Sequence, residues 1–519
     1  MSCVGCHRIS PLDGVEFPAS AIVRSEENVA ARGGSPLTRL LLVASLIAAC
    51  GKNIPPAPDV PPAPGVSGPA WLGFGNGAQH VANSAIATQD FARVRWLAPV
   101  DLDPQYTDGE LLVHYGSPAI TSNNTIVFPV KQDADGPFRI EARSGTNGGL
   151  LWADSSSYVE PPHDWLPPYS VTIDASNKLY AVDAGGLLDV WDSVDTAQPT
   201  RLSYRFYGST NDPAVIADTP VTVDGAGNAY FGFLLSGAST LPGGGIARVS
   251  AAGAGAWVSA ATISNDATIT RAAMNSAPAL SPDGSTLYVA LDSSDHPNGY
   301  LVALDSATLT IKARVLLVDP VTGDPATVDD NATSSPTIGP DGDVYFAVME
   351  STPGAHAGRG WLLHLSPDLS TSFTPGGFGW DDTASIVPAS MVPSYAGPSK
   401  YLVMTKYNDY ARGLSRVAVL DPHDSQADDI STARVMKEVL VIEGPQEFCI
   451  NTAAVDPATK SILVGNEDGN LYRWDLTSNT FTQRLSLTSG VGEAYTPTVV
   501  GADGAVYAIS NAVLFSVGN

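Results

Sequence analysis

From Gly116 to the end of the chain, short runs of alternating apolar and polar residues return at a long, regular spacing. Each unit opens on a small residue or proline and runs through an apolar strand. It turns at an Asp-Gly or Asn-rich corner, then comes back in a second apolar strand. The pattern is seen in "GSPAITSNNTIVFPV" from Gly116, "YSVTIDASNKLYAVD" from Tyr169 and "DTPVTVDGAGNAYFGF" from Asp218. It continues in "SAPALSPDGSTLYVALD" from Ser276, "SSPTIGPDGDVYFAV" from Ser334, "INTAAVDPATKSILVGN" from Ile450 and "YTPTVVGADGAVYAIS" from Tyr495. With a degraded copy, "SMVPSYAGPSKYLVMT" from Ser390, there are eight. They lead in at Pro118, Ser170, Pro220, Pro278, Pro336, Pro393, Thr452 and Pro497, so neighbours lie 45 to 59 residues apart.

Alternation with period two turns one face of a strand inward, and Asp-Gly or Asn corners supply the positive φ of tight hairpins. Several copies continue into a second strand pair, as in "GYLVALDSATLTIKARVLL" and "GNLYRWDLTSNTFTQRLSL". Four strands in roughly 50 residues is the content of one propeller blade. No 3.6-residue periodicity of useful length lies between the copies, which argues against βαβ units. The expected fold is therefore all-β: a single β-propeller of eight four-stranded blades, with seven as the alternative count. The last copy, ending "AVYAISNAVLFSVGN", is too short for four strands. The segment "DFARVRWLAPVDL", Asp90 to Leu102, reads as a spare strand that pairs with it and removes the open edge.

Composition agrees with this picture. The 519 residues include 49 Gly and 40 Pro, while charged residues make up only 15% and apolar ones 44%. That balance suits many short strands joined by tight turns. The formal net charge of −26 is spread along the chain without blocks. Such a surface repels phosphate backbones, so nucleic acid is not an expected partner. No apolar run reaches the ~20 residues that a membrane-spanning helix needs.

The N-terminal fifty residues carry different signals. "MSCVGCHRIS" contains C-x-x-C-H at Cys3, Cys6 and His7, the spacing of c-type haem attachment. Residues 39–50, "RLLLVASLIAAC", have a basic flank, an eight-residue apolar stretch from Leu40 to Ile47, two alanines and Cys50. This is the layout of a secretory signal. The ending "LIAAC" resembles the lipobox of bacterial lipoproteins, which implies acylation of Cys50 and removal of everything before it. Residues 1–49 are then a signal peptide with an over-long lead, translation starting nearer Val29 or Leu37, and the haem motif is discarded. No haem is expected. After cleavage only Cys50 and Cys449 remain, too few for a disulfide framework. Cys449, in "EFCINTAAV", reads as a buried thiol in a strand. Residues 50–70, "CGKNIPPAPDVPPAPGVSGPA", form a proline-rich linker of the kind that extends as polyproline II. Gly51 beside the anchor is not the aspartate of inner-membrane retention; by resemblance that implies the outer membrane.

Within 71–519, "WLGFGNGAQHVANS" from Trp71 resembles the opening of pyrroloquinoline-quinone (PQQ)-like propellers, through Trp71, Phe74, Gly75, Gln79 and His80. "EARSGTNGGLLWAD" resembles that family's tryptophan-docking repeat through Ala142, Gly145 and Trp152, with Gly and Thr in altered order. "VALDSATLTIKARV" from Val302 looks like the same element without its Trp. The family holds quinone-dependent dehydrogenases and non-catalytic scaffolds. The dehydrogenases carry two adjacent cysteines over the cofactor and a Ca²⁺ site of Glu, Asn and Asp. No Cys-Cys pair occurs here and the calcium ligands are not identifiable, so PQQ is not expected. The scaffold branch includes a lipoprotein of the outer-membrane β-barrel assembly machinery, whose layout of anchor, spacer and propeller is similar.

Other catalytic signals are thin. The sequence has no G-x-S-x-G elbow and no H-E-x-x-H. "GFGNGA" from Gly73 fits G-x-G-x-x-A but reads as a loop, lacking a strand before it and a helix after it. His80, His114, His163, His296, His356, His364 and His423 are scattered, leaving a composite His/Asp metal site at the axis open. "DPVTGDPATVDDNAT", Asp319 to Thr333, concentrates carboxylates that suit Ca²⁺, with a solvated acidic loop as the plainer reading. No catalytic, cofactor or metal residue is assigned. The expectation is a non-catalytic, lipid-anchored scaffold facing the periplasm or cell surface, with an envelope protein or polymer as partner. The alternative is an extracytoplasmic propeller enzyme, either a PQQ/Ca²⁺-dependent dehydrogenase or a lactonase-like hydrolase. Apolar or uncharged residues plugging the funnel favour the scaffold; carboxylates and His converging on the axis favour the enzyme.

Overall fold

The computed structural model describes residues 55–519, except 108–109, 112, 135, 163–168, 294–297, 329–333, 450–451 and 491–496. Cys50, the leader before it, His163 and His296 lie outside the described residues.

Apart from a two-stranded hairpin of Tyr106–Thr107 and Glu110–Leu111, the described strands gather into eight antiparallel sheets, one per expected repeat, set as propeller blades. Their innermost strands include Ala119–Ile120, Thr172–Ile173, Thr222–Val223, Ala279–Leu280, Thr337–Ile338, Ser385–Pro388, Ala454–Asp456 and Val499–Val500. Seven begin within two residues of the expected lead-in. The sixth does not: Pro393 lies in a loop after Ser385–Pro388, and the next strand is Tyr401–Lys406. The prolines and glycine of "PSYAGPSK" imitate a repeat corner, but the strand precedes them.

Second strands such as Thr125–Lys131 and the middle of third strands such as Asn470–Asp475 are buried on both faces between neighbouring blades, which explains their near-continuous apolar runs. Outer strands face solvent and alternate, as in Thr480–Ser486. The fifth sheet departs from the rule with three strands, Thr337–Ile338, Val344–Val348 and Trp361–Leu365. Where its fourth is expected, Ser372 and Gly376 make single bridges to Leu365 and Leu362. Pro375, Gly376 and Gly377 cannot sustain a ladder there.

Ring closure follows the expected route. Arg93–Pro99 pairs antiparallel with Val513–Gly518 in the last blade, from Arg93 opposite Gly518 to Pro99 opposite Val513. Trp96 on this strand donates its Nε1–H to the Gly145 carbonyl of the first blade at 2.9 Å. Trp152 performs the docking role expected of it: its indole is buried and donates to the Val194 carbonyl of the second blade at 2.7 Å. Near the axis, Ser and Thr side chains latch blade to blade. Thr172 donates to the Val221 carbonyl (2.6 Å), Thr337 to that of Ala384 (2.7 Å) and Ser385 to that of Ala453 (2.7 Å).

Cys449 is buried as expected, but in a loop rather than a strand. The proline-rich stretch is docked in its second half. Asn147 and Ser144 of the first blade hydrogen-bond the carbonyls of Pro61 and Ala63, and the Gly68 N–H donates to the Ser122 carbonyl.

Candidate functional site: a closed axis and a cleft beside it

The segment Trp71–Ser84 lies inside the ring and bonds to one innermost strand after another. Trp71 exchanges two backbone hydrogen bonds with Ile120 of the first blade, and Leu72 accepts from Ile173 of the second. Ala78 accepts from Leu280 of the fourth, Gln79 from Ile338 of the fifth, Val81 from Ile386 of the sixth and Ala82 from Val455 of the seventh. Six of eight blades thus give an inward N–H to the chain itself.

The glycines of "GFGNGA" make this path. Phe74–Asn76 is one turn of 3₁₀ helix, and Gly75 has φ +58° with His80 packed against it, so a Cβ there would come 2.5 Å from the His80 Cα. His80 is 2% exposed and Nδ1 bonds the Pro336 carbonyl at 2.8 Å. Burial pushes its imidazole down to about 4, so it is neutral at pH 7. The segment then runs to Thr88, whose N–H and hydroxyl donate to Asp456 at 2.8 and 2.5 Å. This end of the axis is closed by apolar and uncharged groups, among them Trp71, Phe74 and neutral His80.

The other ends of the innermost strands carry buried charge. Asp381 and Asp382 precede the sixth innermost strand, and Lys406 ends the strand beside it. The Lys406 ammonium is 2.6 Å from Asp381, with the Phe378 and Trp380 rings 5.5 and 5.7 Å away. Asp382 accepts the Thr405 hydroxyl (2.6 Å) and the Lys406 N–H (2.9 Å). Burial outweighs those donors and pushes its carboxyl up to about 7. His114 of the first blade is pushed down to about 3, by burial and then by the Lys406 charge. Nothing in spacing linked Lys406, Asp381 and Asp382 to an axis, because the blade order alone brings them there.

The remaining histidines divide. His356 stacks on Trp361 with ring centroids 3.7 Å apart and bonds the Asp428 carboxylate at 3.2 Å, a structural role. His364 and His423 meet at a corner of the fifth blade, where their ring centroids lie 6.0 Å apart. Asp341 and Asp343 of "GPDGDVYF" join them there, residues that sequence inspection did not single out. The carboxylates of the Asp319 loop do not converge on a metal position among the described residues. Asp319 is occupied by the backbone N–H groups of Val321, Thr322 and Ser351. Asp329 and Asp330 lie outside the described residues.

These features define an eight-bladed β-propeller closed by its own N-terminal strand. No protein-family model matches the chain, and no curated protein is similar to it in sequence. Solved structures share the fold. A europium-containing methanol dehydrogenase superposes with a TM-score of 0.54 at 9% identity, covering 85% of this chain and 89% of that one. A quinohemoprotein alcohol dehydrogenase from Pseudomonas putida HK5 gives 0.50 at 13%, covering 87% and 76%. BamB from Moraxella catarrhalis gives 0.43 at 14%, covering 76% and 92%. The chain shares the eight-bladed propeller fold of the two dehydrogenases.

The resemblance of its sequence to PQQ-like propellers implies PQQ and a metal, and the described buried charges at Asp381, Asp382 and Lys406 do not fit the pair. Asp381 is matched to an ammonium and Asp382 to a hydroxyl and a backbone N–H, where a hard divalent cation needs carboxylate oxygens. The sequence also lacks the adjacent cysteine pair.

Proposed function

We propose that this chain is a non-catalytic, lipid-anchored scaffold of the bacterial cell envelope, held at the outer membrane through Cys50 and presenting its propeller to an envelope protein or polymer. The observation that carries the reading is the path of Trp71–Ser84, which takes up inward N–H groups on six blades and fills one end of the axis. What stays available is the outside: outer strands such as Thr200–Arg205 and Thr480–Ser486 offer sheet edges, and the blade corners offer loops. The lipobox-like "LIAAC" supports the anchor, and the proline-rich stretch gives it a tether.

Growth of a producing bacterium with labelled palmitate, followed by membrane fractionation, tests this. Label should enter the wild-type chain in the outer-membrane fraction. Cys50→Ala should abolish both label and membrane association while leaving the propeller folded. An unlabelled, soluble wild-type chain would defeat the reading.

A further inference from the structure

We propose that Asp341, Asp343 and His423 form a divalent-metal site of the zinc class, set at a cleft between the fifth and sixth blades and separate from the axis. One ligand atom from each lies within 4.8 Å of the other two. His423 Nε2 stands 3.7 Å from Asp341 Oδ2 and 4.0 Å from Asp343 Oδ2. Those separations exceed the ~3.2 Å limit of a good N–H···O bond. They are close to the spacing of about 3.4 Å between two donors each bound at about 2.1 Å to one tetrahedral ion.

His423 Nδ1 lies 3.3 Å from the Ser399 hydroxyl, which itself donates to Asp421 Oδ1 at 2.6 Å, so Nε2 is the nitrogen that faces the two carboxylates. One imidazole nitrogen and two carboxylate oxygens thus converge on one point.

Each ligand is also oriented from behind, as metal ligands are. Asp343 Oδ2 accepts from His364 Nε2 at 2.9 Å, and His364 is fixed by stacking on Tyr345 with centroids 4.6 Å apart. Asp341 accepts the Tyr401 hydroxyl at 2.9 and 3.0 Å. His423 is held by Ser399, which Asp421 holds in turn. In register His364 stands opposite Tyr345, and its Nε2 points at Asp343.

One imidazole nitrogen with two carboxylate oxygens suits zinc or a similar first-row ion better than calcium, which prefers an all-oxygen shell. Asp341 and His423 are each about 40% exposed and border a cleft of about 790 Å³, which Lys400 also lines. Coordination positions left by the protein therefore open to solvent and to small anions.

The test is calorimetric titration of the whole chain, stripped with a chelator, against Zn²⁺ and separately Ca²⁺. Zinc should bind one per chain. His423→Gln and Asp341→Asn should each weaken it at least tenfold with thermal unfolding in the absence of metal unchanged. Ser399→Ala, which removes only the outer support of His423, should weaken it several-fold, and it keeps the test decisive if a ligand variant fails to fold. Absence of zinc binding would overturn the proposal, as would zinc affinity indifferent to His423, or calcium binding as tight as zinc.

Discussion

His80 occupies a position where charge cannot be carried: it is buried in the closing segment, bonded to a carbonyl and packed edge-on to Phe74 with centroids 5.0 Å apart. Folding lowers its pKa from 6.5 to about 4, so between those values the unfolded chain takes up a proton that the folded chain does not. Stability from this residue is thus complete above pH 6.5 and falls as the pH drops toward 4, by about 1.4 kcal/mol per pH unit. His80→Gln has no proton to gain. Its stability deficit against wild type, read from urea unfolding at several pH values, should shrink as the pH falls from 6.5 to 4. A deficit independent of pH would show that His80 is already protonated when folded. Asp382 has the opposite sign. Its raised pKa, about 7 against 3.8 unfolded, means that its contribution declines as the pH rises through that window, so Asp382→Asn should gain on wild type from pH 4 to pH 7.

Among elements, the joints between blades decide whether the ring holds. Trp152 fills the first joint and donates across it to Val194, so Trp152→Ala should cost about 3–5 kcal/mol. Trp152→Phe keeps most of the buried area and should lose only about 1 kcal/mol with the hydrogen bond. Equal losses in denaturant unfolding would mean that area contributes little at this joint. These joints were legible in part because they repeat: seven lead-ins and the closing strand at Arg93–Pro99 follow from periodicity, and the docking tryptophan from the resemblance to PQQ-like propellers. The sixth lead-in was misplaced because Pro393 and Gly397 look like a corner, and the three-stranded fifth sheet had no signature beyond its extra Pro and Gly. The Asp341–Asp343–His423 cluster was not legible at all. Its members sit on different blades, and only the closing of the ring makes a corner of one blade face a strand of the next.

Taken whole, the molecule is an eight-bladed propeller with one end of the axis filled by its own chain and with buried Asp381 already matched to Lys406. On the proposed scaffold reading, the resemblance to dehydrogenases stops at the fold, and binding is left to the corners, edges and outer clefts. Thermal unfolding of the purified chain with Ca²⁺ and PQQ, singly and together, tests this most directly. A ligand present at a hundred times its Kd and bound only to the folded state adds about 2.7 kcal/mol, a shift well within measurement. A scaffold whose axis is filled at one end by its own chain should unfold at the same temperature with both ligands as with Ca²⁺ alone. A stabilisation that requires PQQ and Ca²⁺ together would contradict it and make the axis an active site.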